Sequence, residues 1–243
     1  MKIKLPQFGK RKLDSYNKSE LLSENSSMLM NDAYGELRTN LKFLLSDGKK
    51  VVAFTSANAH EGKTTTCLNT AIDFARAGHK VVVLDMDMRR PRVHRYFDVP
   101  ASPGLSDKLG NFVKQCPILP TEYENLFVVP VGTLPPSPPE LLMASEFDSV
   151  IADLKREFEF IFIDTTPINV VKDIAIIATM LDGVVFVVRE NATTMEEVKH
   201  GVENLTRVKA RILGFILNDS MGESIIAQYQ YKRKSKSGSK KPI

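Results

Sequence analysis

The sequence predicts an α/β fold in which a mainly parallel sheet carries helices on both faces, and two observations predict it. Six short apolar runs alternate with stretches whose apolar residues recur at helical spacing. One run leads directly into a loop ending Gly62-Lys63-Thr64. Those three supply what a triphosphate needs: a residue that lets backbone amides approach, an ammonium for the β/γ-phosphates and a hydroxyl for Mg²⁺. The fold class is therefore that of a P-loop NTPase.

The elements follow in order. Met30, Tyr34, Leu37, Leu41 and Leu44 recur at intervals of four and three, an amphipathic helix ending near Asp47-Gly48. Strands are expected over 51–55, 81–85, 126–131, 160–164, 183–188 and 212–217, and helices over 63–77, 140–157, 172–180 and 194–209. Leu68, Ala71, Ile72 and Ala75 share one face of the helix after the loop, with Gly78 placed to end it. The section from Pro91 to Val131 is less regular. Thr133-Leu-Pro-Pro-Ser-Pro-Pro-Glu140 reads as a surface connection beside the site, because ligands of parallel sheets sit at the carboxyl ends of strands.

At 243 residues and 43% hydrophobic content, the chain can bury one substantial core. The reading is one domain, residues 28–226, between a basic, polar leader (1–27) and a basic tail (227–243). No apolar stretch approaches the ~20 residues of a membrane span, so a cytoplasmic location is expected. Cys67 and Cys116 show no metal spacing and are expected as reduced thiols. Of the net charge of +4, the first twelve residues carry five positive charges and the last twelve carry six, leaving the rest at −7. The basic ends read as disordered, solubilising segments with weak attraction to anionic lipid or an acidic partner. No nucleic-acid partner is expected.

Chemistry concentrates at three places. In Thr55-Ser-Ala-Asn-Ala-His-Glu-Gly-Lys-Thr-Thr-Thr66, the nucleotide-binding candidates are Ala59, His60, Glu61, Gly62, Lys63, Thr64 and Thr65. His60 and Glu61 are bulkier than a strict glycine-rich loop would carry. The imidazole is read either as a solvent-facing side chain or as a proton-dependent phosphate contact. Two acidic motifs end strands: Val81-Val-Val-Leu-Asp85-Met-Asp87-Met-Arg89-Arg90-Pro91 and Phe160-Ile-Phe-Ile-Asp164-Thr165-Thr166-Pro167. Carboxylates at strand ends resist burial without compensation, so Asp85, Asp87 and Asp164 converging on a phosphate loop suggest Mg²⁺ and its waters.

This order of motifs resembles the bacterial tyrosine kinases of capsular and exopolysaccharide synthesis, over nearly the whole chain. Asp32-Ala-Tyr-Gly-Glu-Leu-Arg38, Gly104-Leu-Ser-Asp107, the Pro-Glu-Leu-Leu142 segment and Leu213-Gly-Phe-Ile-Leu-Asn218 carry the resemblance as well. The Asp-x-Asp-x-Arg-Arg-Pro segment separates this family from partition and division-site ATPases, as does Asn58 in the region where those carry an early loop lysine. The resemblance implies an ATP- and Mg²⁺-dependent protein-tyrosine kinase with Lys63 on the β/γ-phosphates, Thr64 a direct Mg²⁺ ligand, and Asp87 and Asp164 holding Mg²⁺ through water. Asp85 would accept or orient the tyrosine proton, and Asn218 would contact adenine. It further implies autophosphorylation at Tyr229 and Tyr231 and a separate membrane activator, a polysaccharide co-polymerase, recruiting the chain to the inner face of the membrane.

Three positions depart from the family pattern: His60 for a loop glycine, Thr166 for the first proline of Asp-Thr-Pro-Pro, and Gly35 for an arginine of the ring-assembly motif, here Asp32-x-x-Gly35-x-x-Arg38. Homo-oligomerisation therefore stays open. The competing readings are a partition-type ATPase and a nucleotide-binding adaptor without turnover.

Overall fold

The computed structural model describes residues 2–6, 18–45, 48, 50–143, 145–171 and 173–220. Its eight strands form one sheet: β1 (Lys2–Pro6), β2 (Val51–Ser56), β3 (Val81–Asp85), β4 (Leu119–Pro120), β5 (Leu126–Val129), β6 (Phe160–Asp164), β7 (Gly183–Arg189) and β8 (Ile212–Ser220). The order is β1-β8-β7-β2-β6-β3-β5-β4. Every pairing is parallel except that of the short β4 with β5.

Strand side chains alternate between faces, and both faces are covered, which is why these runs read as continuously apolar. Val52 and Phe54 of β2 join a layer with Tyr34, Leu37, Leu41, Leu68 and Phe74. Those residues come from α1 (Met28–Leu44) and α2 (Lys63–Arg76). Val51 and Ala53 point the other way, toward Phe147, Val150, Leu154, Ile174 and Leu205. That second layer is built from α6 (Ser145–Glu157), α7 (Asp173–Ile177) and α8 (Met195–Arg207). Shorter helices α3 (Val93–Tyr96), α4 (Leu105–Leu109) and α5 (Pro138–Leu142) fill the irregular part of the chain. The Arg38 guanidinium ties α1 to α2, bonding the Asp73 carboxylate at 2.5 Å and its carbonyl at 3.1 Å. That arginine of the ring-assembly motif is thus engaged within its own chain.

Several boundaries differ from the expectation. The helix expected over 140–157 is two helices, α5 begun by Pro138 and Pro139 and α6 from Ser145. The strand expected to run to 131 stops at Val129, because Pro130 has no N–H to offer a ladder. Gly78 ends its helix as expected, with φ of 88°.

The larger correction concerns the leader. Residues 2–6 form an edge strand parallel to β8, and Leu21 and Leu22 are buried in the α1–α2 layer. The Leu22 N–H donates to Asn69 Oδ1 at 2.7 Å, and Asn69 Nδ2 donates back to the Glu20 carbonyl at 2.9 Å. A buried amide side chain needs such partners, so Asn69 of α2 fixes the segment as firmly as the leucines do. A domain start at residue 28 therefore falls too late for the packing. The tail, with Tyr229 and Tyr231, lies outside the described residues.

Truncating Leu22 to alanine removes a fully buried side chain and should cost about 2–5 kcal/mol of unfolding free energy. Urea unfolding of the full chain checks this. A change of less than about 0.5 kcal/mol would place the segment outside the cooperative unit.

Candidate active site

The carboxyl ends of β2, β3 and β6 bring the three expected places together. Asp85 and Asp164 are direct partners in the β3–β6 register, so two carboxylates end adjacent strands side by side. β2 opens into the loop that carries Lys63. Its ammonium lies 3.2 Å from Asp87 Oδ2, 3.4 Å from Asp164 Oδ1 and 3.3 Å from Thr64 Oγ1. The Thr64 hydroxyl donates to Asp164 Oδ2 at 2.7 Å. Four expected residues thus meet at one buried point.

Electrostatics follow from that burial. Desolvation disfavours the Lys63 ammonium, but Asp164, Asp87 and Asp85 outweigh it and its pKa is raised. Desolvation raises Asp164 even against the opposing pull of Lys63 and the Thr64 hydroxyl. Asp85 is pushed up to about 7, by burial first and by Asp164 second. The carboxylates are therefore under-compensated by one ammonium. Oxygen donors from Thr64, Asp87 and Asp164 with excess negative charge suit a hard divalent cation that keeps several waters. Among the described residues no group of three or more His, Cys, Asp or Glu is arranged to enclose a metal by itself.

The two candidates for the tyrosine proton separate by position. Asp85 is fully buried and accepts from three backbone amides, Asp87 (3.2 Å), Arg92 (2.9 Å) and Val93 (3.0 Å). Its carboxylate folds the segment 87–93 around itself. Of the two, only Asp87 lines the cavity at the site.

The loop is held from behind. The Glu61 side chain accepts from the Asn58 amide (3.1 Å) and from the Thr193 hydroxyl (2.6 Å). Burial raises its pKa against those bonds. Asn218 Nδ2 donates to the Glu61 carbonyl at 2.9 Å, and Arg189 bonds the His60 carbonyl at 3.4 Å while gripping Asp219 at 2.7 Å. Asn218, expected as an adenine contact, thus holds the loop backbone through its Nδ2. It also explains Gly62: at φ of 87° a Cβ there would stand 1.9 Å from Asn218 Nδ2. His60, at φ of 66°, occupies the left-handed region that glycine prefers, which is the physical content of its departure from the glycine pattern.

A cavity of about 270 Å³ opens in front of Gly62, Lys63, Thr64 and Thr65, near the lower end of the ~300–1,000 Å³ typical of small-ligand pockets. Ala59 and His60 line it too. So do Glu20, Arg92 and Tyr96, which the sequence reading did not single out. Glu20 Oε2 accepts weakly from the Thr65 and Tyr96 hydroxyls, at 3.4 Å each. The available signal for Glu20 was the apolar pair Leu21-Leu22 beside it, in an otherwise polar leader.

A parallel sheet with this loop and these strand-end carboxylates defines a P-loop nucleotide-binding domain. A family model for ParA, described as an NUBPL iron-transfer P-loop NTPase, matches residues 47–240. The tyrosine-protein kinase CpsD of Streptococcus pneumoniae is 36% identical over 187 residues, covering 76% of this chain and 82% of that protein. The tyrosine-protein kinase YwqD of Bacillus subtilis strain 168 is 33% identical, with 78% and 81% covered. The kinase domain of the Escherichia coli tyrosine kinase ETK superposes with a TM-score of 0.81 at 25% identity, 91% of each chain covered. The MinD septum-site protein of Pyrococcus horikoshii, complexed with Mg-ADP, shares the fold with a TM-score of 0.59 over 73% of this chain and 72% of its own. The chain belongs to the bacterial tyrosine-kinase family of capsule synthesis, built on a ParA-type P-loop domain.

Two outcomes follow from the geometry. His60→Gly relieves a left-handed non-glycine residue and should raise the stability of the nucleotide-free protein by up to about 1 kcal/mol, read by thermal unfolding. Asp85 has its folded pKa raised, so the folded chain keeps a proton that the unfolded chain releases from the ordinary carboxylate range up to about 7. Stability of the nucleotide-free protein should therefore fall as pH rises through that window. Lowering the pH from about 7.5 to about 5 should raise the wild-type Tm by several degrees more than that of Asp85→Asn, at roughly 2–4 °C per kcal/mol. Parallel pH profiles for the two proteins would contradict this.

Proposed function

We propose that the chain is an ATP- and Mg²⁺-dependent protein-tyrosine kinase that phosphorylates Tyr229 and Tyr231 of its own tail and regulates capsular or exopolysaccharide synthesis or export. The observation that carries this reading is the meeting of Lys63, Thr64, Asp87 and Asp164 at the mouth of the phosphate loop. Phosphoryl transfer needs alignment of the attacking oxygen, phosphorus and leaving oxygen, with charge neutralised on the leaving side. Lys63 exchanges its carboxylate partners for β/γ-phosphate oxygens, and the loop amides around Gly62 take up the remaining charge. Thr64, Asp87 and Asp164 would hold Mg²⁺ and its waters, and such an ion would add to the neutralisation of the leaving phosphate. Asp87 orients the tyrosine hydroxyl from the cavity wall and receives its proton as that oxygen bonds the γ-phosphorus and the bond from this phosphorus to the β-phosphate oxygen breaks, releasing ADP. Asp85 holds the segment that carries Asp87.

Among the described residues no helix is long and apolar enough to cross a membrane. A membrane protein of polysaccharide assembly is the proposed activator, bringing the chain to the inner face of the membrane, a reading supported by the likeness to the capsule-synthesis kinases. The basic tail adds a weak attraction to anionic lipid there, which phosphorylation of the tyrosines reduces. A partition-type ATPase, or an adaptor without turnover, would use the same cradle and leave no phosphotyrosine.

Lys63→Met should fold normally while losing most of its affinity for ATP, because a neutral side chain cannot answer phosphate charge; titration calorimetry checks this. Folded Lys63→Met with unchanged ATP affinity would exclude the assignment. The same variant serves as acceptor for an active Tyr229→Phe/Tyr231→Phe enzyme in the presence of the activator's cytoplasmic segment. Phosphotyrosine on the Lys63→Met tail is the expected result. Its absence, with wild type labelling normally, would leave only transfer within one chain.

A further inference from the structure

Thr166 stands where the family pattern has the first proline of Asp-Thr-Pro-Pro. It is 1% exposed, and its hydroxyl is one of four buried side-chain polar atoms without a hydrogen-bond partner among the described residues. The other three belong to Thr66, His94 and Asp173. Only Thr166 lines the cavity. A buried hydroxyl without a partner costs stability, and such groups in native proteins call for a reason.

The surrounding backbone fixes this residue against the phosphate loop. Its carbonyl accepts from the Thr55 hydroxyl at 2.9 Å, at the root of that loop. Thr165 caps the Phe54 carbonyl through its hydroxyl at 2.8 Å. Further along, the amides of Ile168 and Asn169 donate to the carbonyls of Ser56 and Ala57, at 2.9 and 3.2 Å. The segment 165–169 therefore runs alongside 54–57 as one rigid unit. Thr166 follows Asp164 by two residues, and Asp164 takes both the Lys63 ammonium and the Thr64 hydroxyl. Thr166 thus belongs to a cavity-lining segment two residues from Asp164, with its unpaired hydroxyl buried behind the place that Lys63 now fills.

We propose that the Thr166 hydroxyl is a phosphate-binding group of this chain, donating to an oxygen of the terminal phosphate of bound ATP. A proline at this position has no such donor. In the empty protein the hydroxyl is a defect, and in the loaded protein it is a contact that distinguishes a triphosphate from a diphosphate. The inference rests on the kinase reading of the site.

Thr166→Val removes the hydroxyl and keeps the shape, so its two effects should have opposite signs. The Tm of the nucleotide-free protein should rise, and the affinity for AMP-PNP with Mg²⁺ should fall by about tenfold to a hundredfold, the worth of one hydrogen bond to a charged group. Affinity for ADP with Mg²⁺ should stay within about twofold, and Thr166→Ser should bind AMP-PNP like wild type. Calorimetric titration and thermal unfolding read all four quantities without turnover. A lower Tm for Thr166→Val would show a satisfied structural hydroxyl and overturn the proposal. So would equal AMP-PNP affinity in Thr166→Val and wild type, or equal losses for ADP and AMP-PNP. Wild type that binds neither nucleotide would instead overturn the functional reading itself.

Discussion

The site depends on one electrostatic constraint: strand-end carboxylates are buried together, and one ammonium is placed among them. Asp85 and Asp164 end paired strands of a sheet covered on both faces, with Asp87 just beyond, and water cannot solvate them. Lys63 bridges Asp87 and Asp164 from the first turn of α2. That compensation is partial, since Asp85 and Asp164 both remain raised by desolvation. On the proposed kinase reading, a polyanion arriving at Lys63 would take the ammonium away from the aspartates, which would then need a cation of their own. On that reading, nucleotide and divalent metal would be demanded together by the buried cluster.

The phosphate loop meets the same problem with unusual residues. Where a stricter pattern would place small residues, His60 and Glu61 stand, and the structure holds each one from the far side. Asn218 and Arg189 bind their carbonyls, and Thr193 binds the Glu61 carboxylate. With its carbonyls occupied behind, the loop keeps its amides for the side where phosphates bind. The clamp comes from the carboxyl ends of β7 and β8 and the turn after β7.

Much of this was legible in the sequence, because strands buried on both faces must be continuously apolar and a phosphate loop must carry its lysine and hydroxyl in fixed order. The six inner strands, α1, α2 and α8 follow from periodicity and capping alone. Edge elements did not: β1 reads as Lys-Ile-Lys-Leu-Pro, too polar for a two-sided strand, and β4 is only two residues long. The convergence of Lys63, Asp87 and Asp164 was readable from their places at strand ends. The different surroundings of Asp85 and Asp87 were not, since they depend on which carboxylate the amides of Arg92 and Val93 capture. Asn218 was expected near the base from its position at a strand end, and its hold on the loop was not legible. Its commitment to Glu61 depends on β8 lying two strands away from β2 across β7, which no local pattern encodes.

The most direct test of the account is mass spectrometry of the freshly purified full chain before and after incubation with ATP and Mg²⁺, with ADP and Mg²⁺ as the control. The account predicts phosphate on Tyr229 or Tyr231, increasing with ATP and the activator's cytoplasmic segment and unchanged with ADP. ATP consumed under those conditions with no phosphotyrosine on the chain or on the activator segment would contradict it.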